Sequence, residues 1–199
     1  MLLIRPNLAT GMKPLFSLFV CFFLLRALAE AKGWEVWEDC RLDKQSYYEG
    51  DSFTVVYRGG KAIIKLYYVD TPEVDTSYPK RVKAQGIYFG GLAKTDVLEL
   101  GQQARIFTGK VLSKPFAIIT RLDGAPGRSD VSKYYGLVKT SSGRYLSELL
   151  VRRGLARIQG REIRGELPRA FSPSSYVRDL YKVEMRARKR KLGGWADSF

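Results

Sequence analysis

The chain contains no histidine and only two cysteines, and each scarcity removes a class of function. Without histidine there is no imidazole base or nucleophile relay, which excludes most familiar hydrolase mechanisms. A zinc centre is also disfavoured, because histidine and cysteine are the usual zinc ligands. Among metal sites, the sequence leaves those built from oxygen ligands.

Long hydrophobic runs are also lacking. The one apolar run, residues 15–25, is shorter than the ~20 residues that a membrane-spanning helix needs. It follows Lys13 and precedes small residues, which is the pattern of a secretory signal peptide, here residues 1–31 with cleavage after Ala29 or Ala31. A retained membrane anchor is the alternative. We therefore expect a secreted, periplasmic or cell-envelope protein.

Positive charge is abundant: 34 lysines and arginines face 20 acidic residues, a formal net charge of +14. Such an excess favours a polyanionic partner, with nucleic acid as the first candidate and an anionic membrane or cell-wall surface as the second. A basic pI that only maintains solubility is the third reading. The basic run at 186–191 fits either a solvated helix end or a nucleic-acid groove.

Two β-rich runs surround Gly59 and Gly60 in the stretch DSFTVVYRGGKAIIKLYYVD, which predicts a β-hairpin. Later segments add three strands and three helices by their periodicity and capping residues. Strands are expected within 115–122 and 133–140, and a short strand is expected after the second helix, which Gly154 ends. The helices are expected within 99–112, 144–158 and 172–195, the last with Ser172 as its N-cap.

Strands early, one helix between the third and fourth strands, and helices late predict a mainly β fold: an OB-type five-stranded barrel with three helices. After the signal peptide, we expect a lead-in segment at 32–46, the barrel domain at 47–195 and a tail at 196–199. Within the domain, residues at about 79–98 have no clean period and are predicted to be a loop or short-helix insertion.

Three carboxylates are candidates for a site. Asp70 and Glu73 directly follow the second hairpin run, and Asp51 begins the first, so the three can meet at one mouth of a barrel. Carboxylates with carbonyl oxygens nearby suit a hard cation such as Ca²⁺. The alternative is a plain turn, because Asp, Pro and Glu commonly follow a strand.

Four sequence blocks resemble the staphylococcal nuclease family, in the right order. They are EGDSFTV, IIKLYYVDTPE, ELLVRRGLARI and KLGGW, and together they cover residues 47–195. The VDTPE block is the most specific of them. The resemblance implies an OB-fold barrel that hydrolyses DNA and RNA phosphodiesters with Ca²⁺.

The resemblance also implies roles for individual residues. Asp51 and Asp70 would be the calcium carboxylates, with the carbonyl of Thr71 as a further ligand. Glu73 would be the general base that deprotonates the attacking water. Lys65 would grip the phosphate.

The sequence departs from the family pattern at two phosphate-binding positions. Lys65 stands where the family has an arginine, and lysine offers one compact charge where arginine offers a planar, bidentate clamp. Tyr134 stands at the position of the family's second arginine. Lys133 and Arg128 are the possible substitutes from nearby in the chain.

We therefore predict a secreted, Ca²⁺-dependent nuclease acting on DNA, RNA or both, with a preference for single strands and acting as a monomer. The alternative predictions are a catalytically silent nucleic-acid-binding OB module and a basic cell-envelope interaction protein. Retention of Asp51, Asp70 and Glu73 favours the enzyme, because three acids would repel the phosphates of a ligand that is only bound.

Overall fold

The computed structural model describes residues 33–127, 129–164 and 172–196. The predicted signal peptide at 1–31 and the candidate residue Arg128 lie outside the described residues, so both stay predictions. Most of the predicted tail at 196–199 also lies outside them.

Five strands close into a barrel, as the sequence predicts. In chain order they are β1 (Glu35–Leu42), β2 (Ser52–Tyr57), β3 (Gly60–Leu66), β4 (Phe116–Gly124) and β5 (Lys133–Lys139). Around the barrel the order is β1-β2-β3-β5-β4. The β3–β5 pair is parallel and its neighbours are antiparallel, so the barrel is mixed.

The first strand lies inside the segment expected to be a lead-in. β1 pairs with both β2 and β4 and closes the barrel. Its sequence, EVWEDCRL, buries only Trp37 and Cys40, and the register with β4 shifts between these two residues. Such a bulge breaks the two-residue alternation by which a half-buried strand is recognised.

The predicted hairpin is present and sets the position of the site. β2 and β3 pair without a break from Ser52 opposite Lys65 to Tyr57 opposite Gly60. Gly60 has a φ of 125°, a conformation that side chains other than glycine rarely adopt. The barrel interior is filled by apolar side chains that are at most 1% exposed, among them Phe53, Ile64, Leu66, Ile118 and Leu137.

Among the residues that the structure describes, four α-helices accompany the barrel, one more than expected. They are α1 (Pro79–Tyr88), α2 (Lys94–Val111), α3 (Leu146–Arg152) and α4 (Pro173–Lys189), and a 3₁₀ turn follows at Gly193–Trp195. The extra helix is α1, which occupies the first half of the 79–98 insertion. In the ranges that the structure describes, none of the helices has the length and apolar character needed to cross a bilayer.

Helices α1 and α2 cover the loop that follows β3. Gly101 of α2 lies so close to this loop that a Cβ built on it would be 2.2 Å from the Glu73 carbonyl oxygen. Gln85 of α1 is completely buried against the same loop. The two helices therefore fix the backbone of residues 70–73, which carries the predicted site.

Candidate active site

The three predicted carboxylates meet at one end of the hairpin. The Leu66 N–H donates to the Asp51 carbonyl oxygen at 2.8 Å, which places the start of β2 beside the end of β3. Asp51, Asp70 and Glu73 are only 2%, 7% and 6% exposed. We call these three residues the acidic mouth. Because buried carboxylates need compensating partners, their neighbours decide their chemistry.

Lys65 lies between two of these carboxylates. Its Nζ is 2.8 Å from Asp51 Oδ2 and 3.9 Å from Asp70 Oδ1. Burial acts to lower the pKa of Lys65, but the attraction of Asp51 and Asp70 outweighs it and raises the pKa. The ammonium group is thus a fixed positive charge inside the mouth.

Asp70 contacts two arginines in addition to Lys65. Arg157 Nε donates to Asp70 Oδ2 at 2.7 Å, and Arg81 Nη2 donates to Oδ1 at 2.6 Å. Burial acts to raise the pKa of Asp70, but Lys65, Arg157 and Arg81 together hold it below its ordinary value. Backbone bonds in both directions between Asp70 and Arg157, at 3.1 and 2.9 Å, bring the segment that follows α3 to this site as an isolated bridge, where the sequence predicts a short strand.

Gln85 holds the loop of the site by three hydrogen bonds. Its Nε2 donates to Asp70 Oδ2 at 3.1 Å and to the Thr71 carbonyl oxygen at 3.0 Å, and its Oε1 accepts from the Glu73 N–H at 3.0 Å. Since Gln85 and Arg81 are four residues apart on α1, they lie on one face of the helix. One helix face therefore contacts the whole loop.

Glu73 is a buried acid with a raised pKa. Burial raises its pKa, and Arg81, whose Nη2 lies 2.9 Å from Glu73 Oε1, opposes that effect. The negative charges of Glu49 and Asp70 also favour its protonated form. Glu73 is thus a carboxylate with an increased tendency to accept a proton.

Tyr134, at the position of the family's second arginine, and its possible substitute Lys133 lie in different surroundings. Lys133 Nζ is 5.8 Å from the centre of the Tyr47 ring, and burial together with repulsion from Lys65 lowers the pKa of Lys133. The Tyr134 ring packs edge-on against Trp37, with 6.2 Å between ring centres. The structure therefore brings together Asp51, Lys65, Asp70, Thr71 and Glu73, while Tyr134 packs against the indole ring of β1.

Sequence reasoning missed three residues that contact the acidic mouth: Arg81, Gln85 and Arg157. The four-residue spacing of Arg81 and Gln85 was a usable signal, but only once the 79–98 segment had been identified as a helix. Arg157 lies inside the ELLVRRGLARI block, where nothing in the local pattern distinguishes it from Arg152 or Arg153.

The oxygens of the mouth fit a hard cation by their chemistry. Asp51, Asp70 and the Thr71 carbonyl are the oxygen types that Ca²⁺ takes, and the Lys65 ammonium already places a positive charge between the two carboxylates. Asp51 Oδ1 accepts only from Thr71 Oγ1, at 3.2 Å, among the described residues, so lone pairs remain there. In the described ranges no set of three His, Cys, Asp or Glu residues forms a metal cluster. Coordination therefore requires the Thr71 carbonyl and displacement of the Lys65 ammonium.

Comparison with known families supports the same end of the barrel. A sequence model described as staphylococcal nuclease homologue matches residues 63–197, which is more than half of the chain. The match includes Lys65, Asp70, Thr71 and Glu73, and it begins after Asp51. Members of this family are generally Ca²⁺-dependent and act on nucleic acids. With the closed five-stranded barrel, this match shows that the chain belongs to the staphylococcal nuclease family.

Proposed function

We propose that the chain is a nuclease that hydrolyses phosphodiester bonds of DNA, RNA or both at the acidic mouth. The observation that carries the proposal is the arrangement of Glu73: a buried carboxylate with raised pKa, beside Asp70 and 2.9 Å from a guanidinium. Attack of water on a phosphodiester requires a base to accept the proton of the water, and positive charge nearby to stabilise the transition state.

In the proposed reaction, Glu73 accepts a proton from a water molecule. The water oxygen forms a bond to phosphorus, the bond from phosphorus to the leaving oxygen breaks, and the leaving oxygen takes up a proton from solvent. Lys65 contributes positive charge beside the phosphate, where negative charge increases in the transition state. Gln85 holds the Glu73 backbone, and so the base, in a fixed position.

We propose Asp51, Asp70 and the Thr71 carbonyl as the residues that hold Ca²⁺. When bound, the ion would supply positive charge that polarises the phosphate. Asp70 is kept ionised by its cationic neighbours, as a metal ligand must be. The ion pairs of the mouth compete with such coordination, so we expect modest calcium affinity.

We propose single-stranded nucleic acid as the preferred substrate. All three carboxylates are less than a tenth exposed, and an unpaired strand reaches so recessed a site more easily than a duplex does. The net charge of +14 favours any polyanion of this kind. We further propose that the protein is exported through its amino-terminal segment and acts as a monomer.

The test is cleavage of end-labelled single-stranded DNA and RNA by the purified protein, with Ca²⁺ and with a chelator. We expect Ca²⁺-dependent cleavage that Glu73→Gln reduces by on the order of 10²-fold, because the base is removed while the size is kept. Glu99→Gln, an exposed position on α2, is the matched control and should cleave like the wild type.

Three results would contradict the proposal. Cleavage that is unchanged in Glu73→Gln would exclude Glu73 as the base. Binding of the oligonucleotides without any cleavage by the wild type would instead favour the silent binding module. Absence of binding as well would favour the cell-envelope alternative.

A further inference from the structure

Arg81 differs from the other two cations that contact Asp70. The side chains of Lys65 and Arg157 are 17% and 8% exposed, and that of Arg81 is 42% exposed. Of these three positive charges, Arg81 is therefore the one open to solvent. A ligand that enters the acidic mouth meets the Arg81 guanidinium on its way to Glu73.

The guanidinium of Arg81 also retains hydrogen-bonding capacity. Both of its carboxylate contacts, 2.6 Å to Asp70 Oδ1 and 2.9 Å to Glu73 Oε1, use the single atom Nη2. In the described part of the chain, Nε and Nη1 make no hydrogen bond or ion pair. Both two-nitrogen edges of a guanidinium include Nη2, so the N–H groups of Nε and Nη1 remain as separate donors, each able to bond one phosphate oxygen.

The strands of the barrel offer no equivalent group. Lys65 is held between Asp51 and Asp70, and Tyr134 packs on Trp37. Lys133 lies under the Tyr47 ring with a lowered pKa. The solvent-exposed arginine near Glu73 therefore comes from α1, which lies in the segment that the sequence predicts to be a loop or short-helix insertion.

We propose that Arg81 is a substrate-binding residue that donates a hydrogen bond from Nη1 to the scissile phosphate. It remains anchored on Asp70 and Glu73 through Nη2, so the phosphate is held next to the base. Helix α1, fixed to the loop by Gln85, positions it. This inference rests on the proposed nuclease function, and it assigns a phosphate contact to a residue outside the β3 and β5 positions.

The first experiment compares cleavage kinetics of single-stranded DNA for the wild type, Arg81→Ala, Arg81→Lys and Lys83→Ala. We expect kcat/KM to fall by on the order of 10²-fold in Arg81→Ala, the usual effect of removing one donor that stabilises transition-state charge. Arg81→Lys keeps a positive charge next to Asp70 and Glu73 but lacks the additional donor Nη1, so about a 10-fold loss is expected. Lys83→Ala removes an equal charge from an exposed site on the same helix and should stay within twofold.

Rescue of cleavage by added guanidinium ion distinguishes a role of Arg81 in phosphate binding from a purely structural role. At low millimolar concentration the ion should restore part of the activity of Arg81→Ala and none of that of Glu73→Gln. Wild-type kcat/KM in Arg81→Lys, or activity within threefold of the wild type in Arg81→Ala, would overturn the proposal. Where Arg81→Ala does not fold, Arg81→Lys decides the question.

A second measurement keeps the inference testable if the wild type proves unable to cleave nucleic acid. In a chelator at constant ionic strength, inorganic phosphate should raise the melting temperature of the wild type and of Lys83→Ala, because a ligand stabilises the state that binds it. The shift should be lost in Arg81→Ala and reduced in Arg81→Lys. An equal shift in all four proteins would overturn the phosphate site, whatever the outcome of the cleavage assay.

Discussion

The chain carries its charges in two contrasting regions. In the acidic mouth, Asp70 is 9% exposed at its side chain and contacts Lys65, Arg81 and Arg157 within 4 Å. The second region is a groove between α3 and α4, which we call the basic groove. It is lined by Arg152, Arg153, Val183, Arg186, Ala187, Arg190 and Leu192.

The contrast lies in burial and pairing. The mouth balances three buried acids against three cations, of which Arg81 is the one open to solvent, while the groove gathers four arginines, with no acid among its lining residues. Charges interact strongly where water is excluded and weakly where solvent and salt screen them. A single substitution should therefore have a large effect in the mouth, and substitutions in the groove should have small, salt-dependent effects.

The strongest test of this contrast is Arg157→Met. It removes the arginine that is 8% exposed and leaves the Asp70 carboxylate with a buried oxygen that has lost its charged partner. Breaking a buried ion pair from one side costs about 3–5 kcal/mol, so we expect a loss of that size in the free energy of unfolding. Urea denaturation followed by circular dichroism measures it.

The matched control is Arg144→Met, which breaks the 3.2 Å pair with Glu148 on the surface of α3. Its arginine is 52% exposed, and exposed pairs of this kind contribute about 0–1 kcal/mol. Equal losses of unfolding free energy in the two variants would show that an ion pair in the mouth stabilises the protein no more than an ion pair on the surface.

The second test changes packing instead of charge. Gly101→Ala places a Cβ 2.2 Å from the Glu73 carbonyl oxygen, so the loop of the mouth or helix α2 must move. Overpacking of this kind costs about 1–3 kcal/mol, and we expect that loss together with reduced cleavage, because the base is displaced. Thermal denaturation and the cleavage assay measure the two effects.

Gly109→Ala, on the same helix, is the comparison for this prediction. Its Cβ would meet the Tyr48 ring at 3.4 Å, an ordinary contact. Alanine is also preferred over glycine inside a helix by about 1 kcal/mol. Gly109→Ala should therefore be as stable as the wild type or more stable, and a destabilisation equal to that of Gly101→Ala would refute the close approach at Gly101.

The barrel could be predicted from sequence because its signals are local. The Gly59-Gly60 turn between two β-rich runs identified the hairpin, and the acids directly after β3 marked the end at which the site lies. The N-cap at Ser172 is also local, and the structure shows its side chain accepting from the Ser175 N–H at 3.4 Å. Such features depend on a few consecutive residues.

The partners of the carboxylates could not be predicted in the same way. Arg157 reaches Asp70 from 87 residues away in the chain, and Gln85 reaches it from 15 residues away. These contacts form when α1 and the segment that follows α3 pack against the loop of the mouth. No local sequence pattern specifies that packing. α1 itself was obscured because only Val82, Gln85 and Gly86 are buried, so it lacks a clear apolar stripe.

The smallest expected effects come from the basic groove, and they complete the comparison. Arg186→Ala combined with Arg190→Ala removes two exposed arginines, so the stability should change by less than about 0.5 kcal/mol. If single-stranded nucleic acid also contacts the groove, the slope of log affinity against log salt should become shallower by about 0.7 for each lost phosphate contact. Fluorescence anisotropy of a labelled oligonucleotide in a chelator, at several salt concentrations, measures this slope.

The control for the groove is Arg41→Ala combined with Arg58→Ala, which lowers the net charge equally. These two arginines line a surface that also contains Glu38 and Asp39, so their positive charge is partly balanced. The control should therefore change the salt slope less than the groove variant does. If both double variants change the salt slope equally, net charge alone accounts for binding. The basic groove is then not a separate contact for nucleic acid.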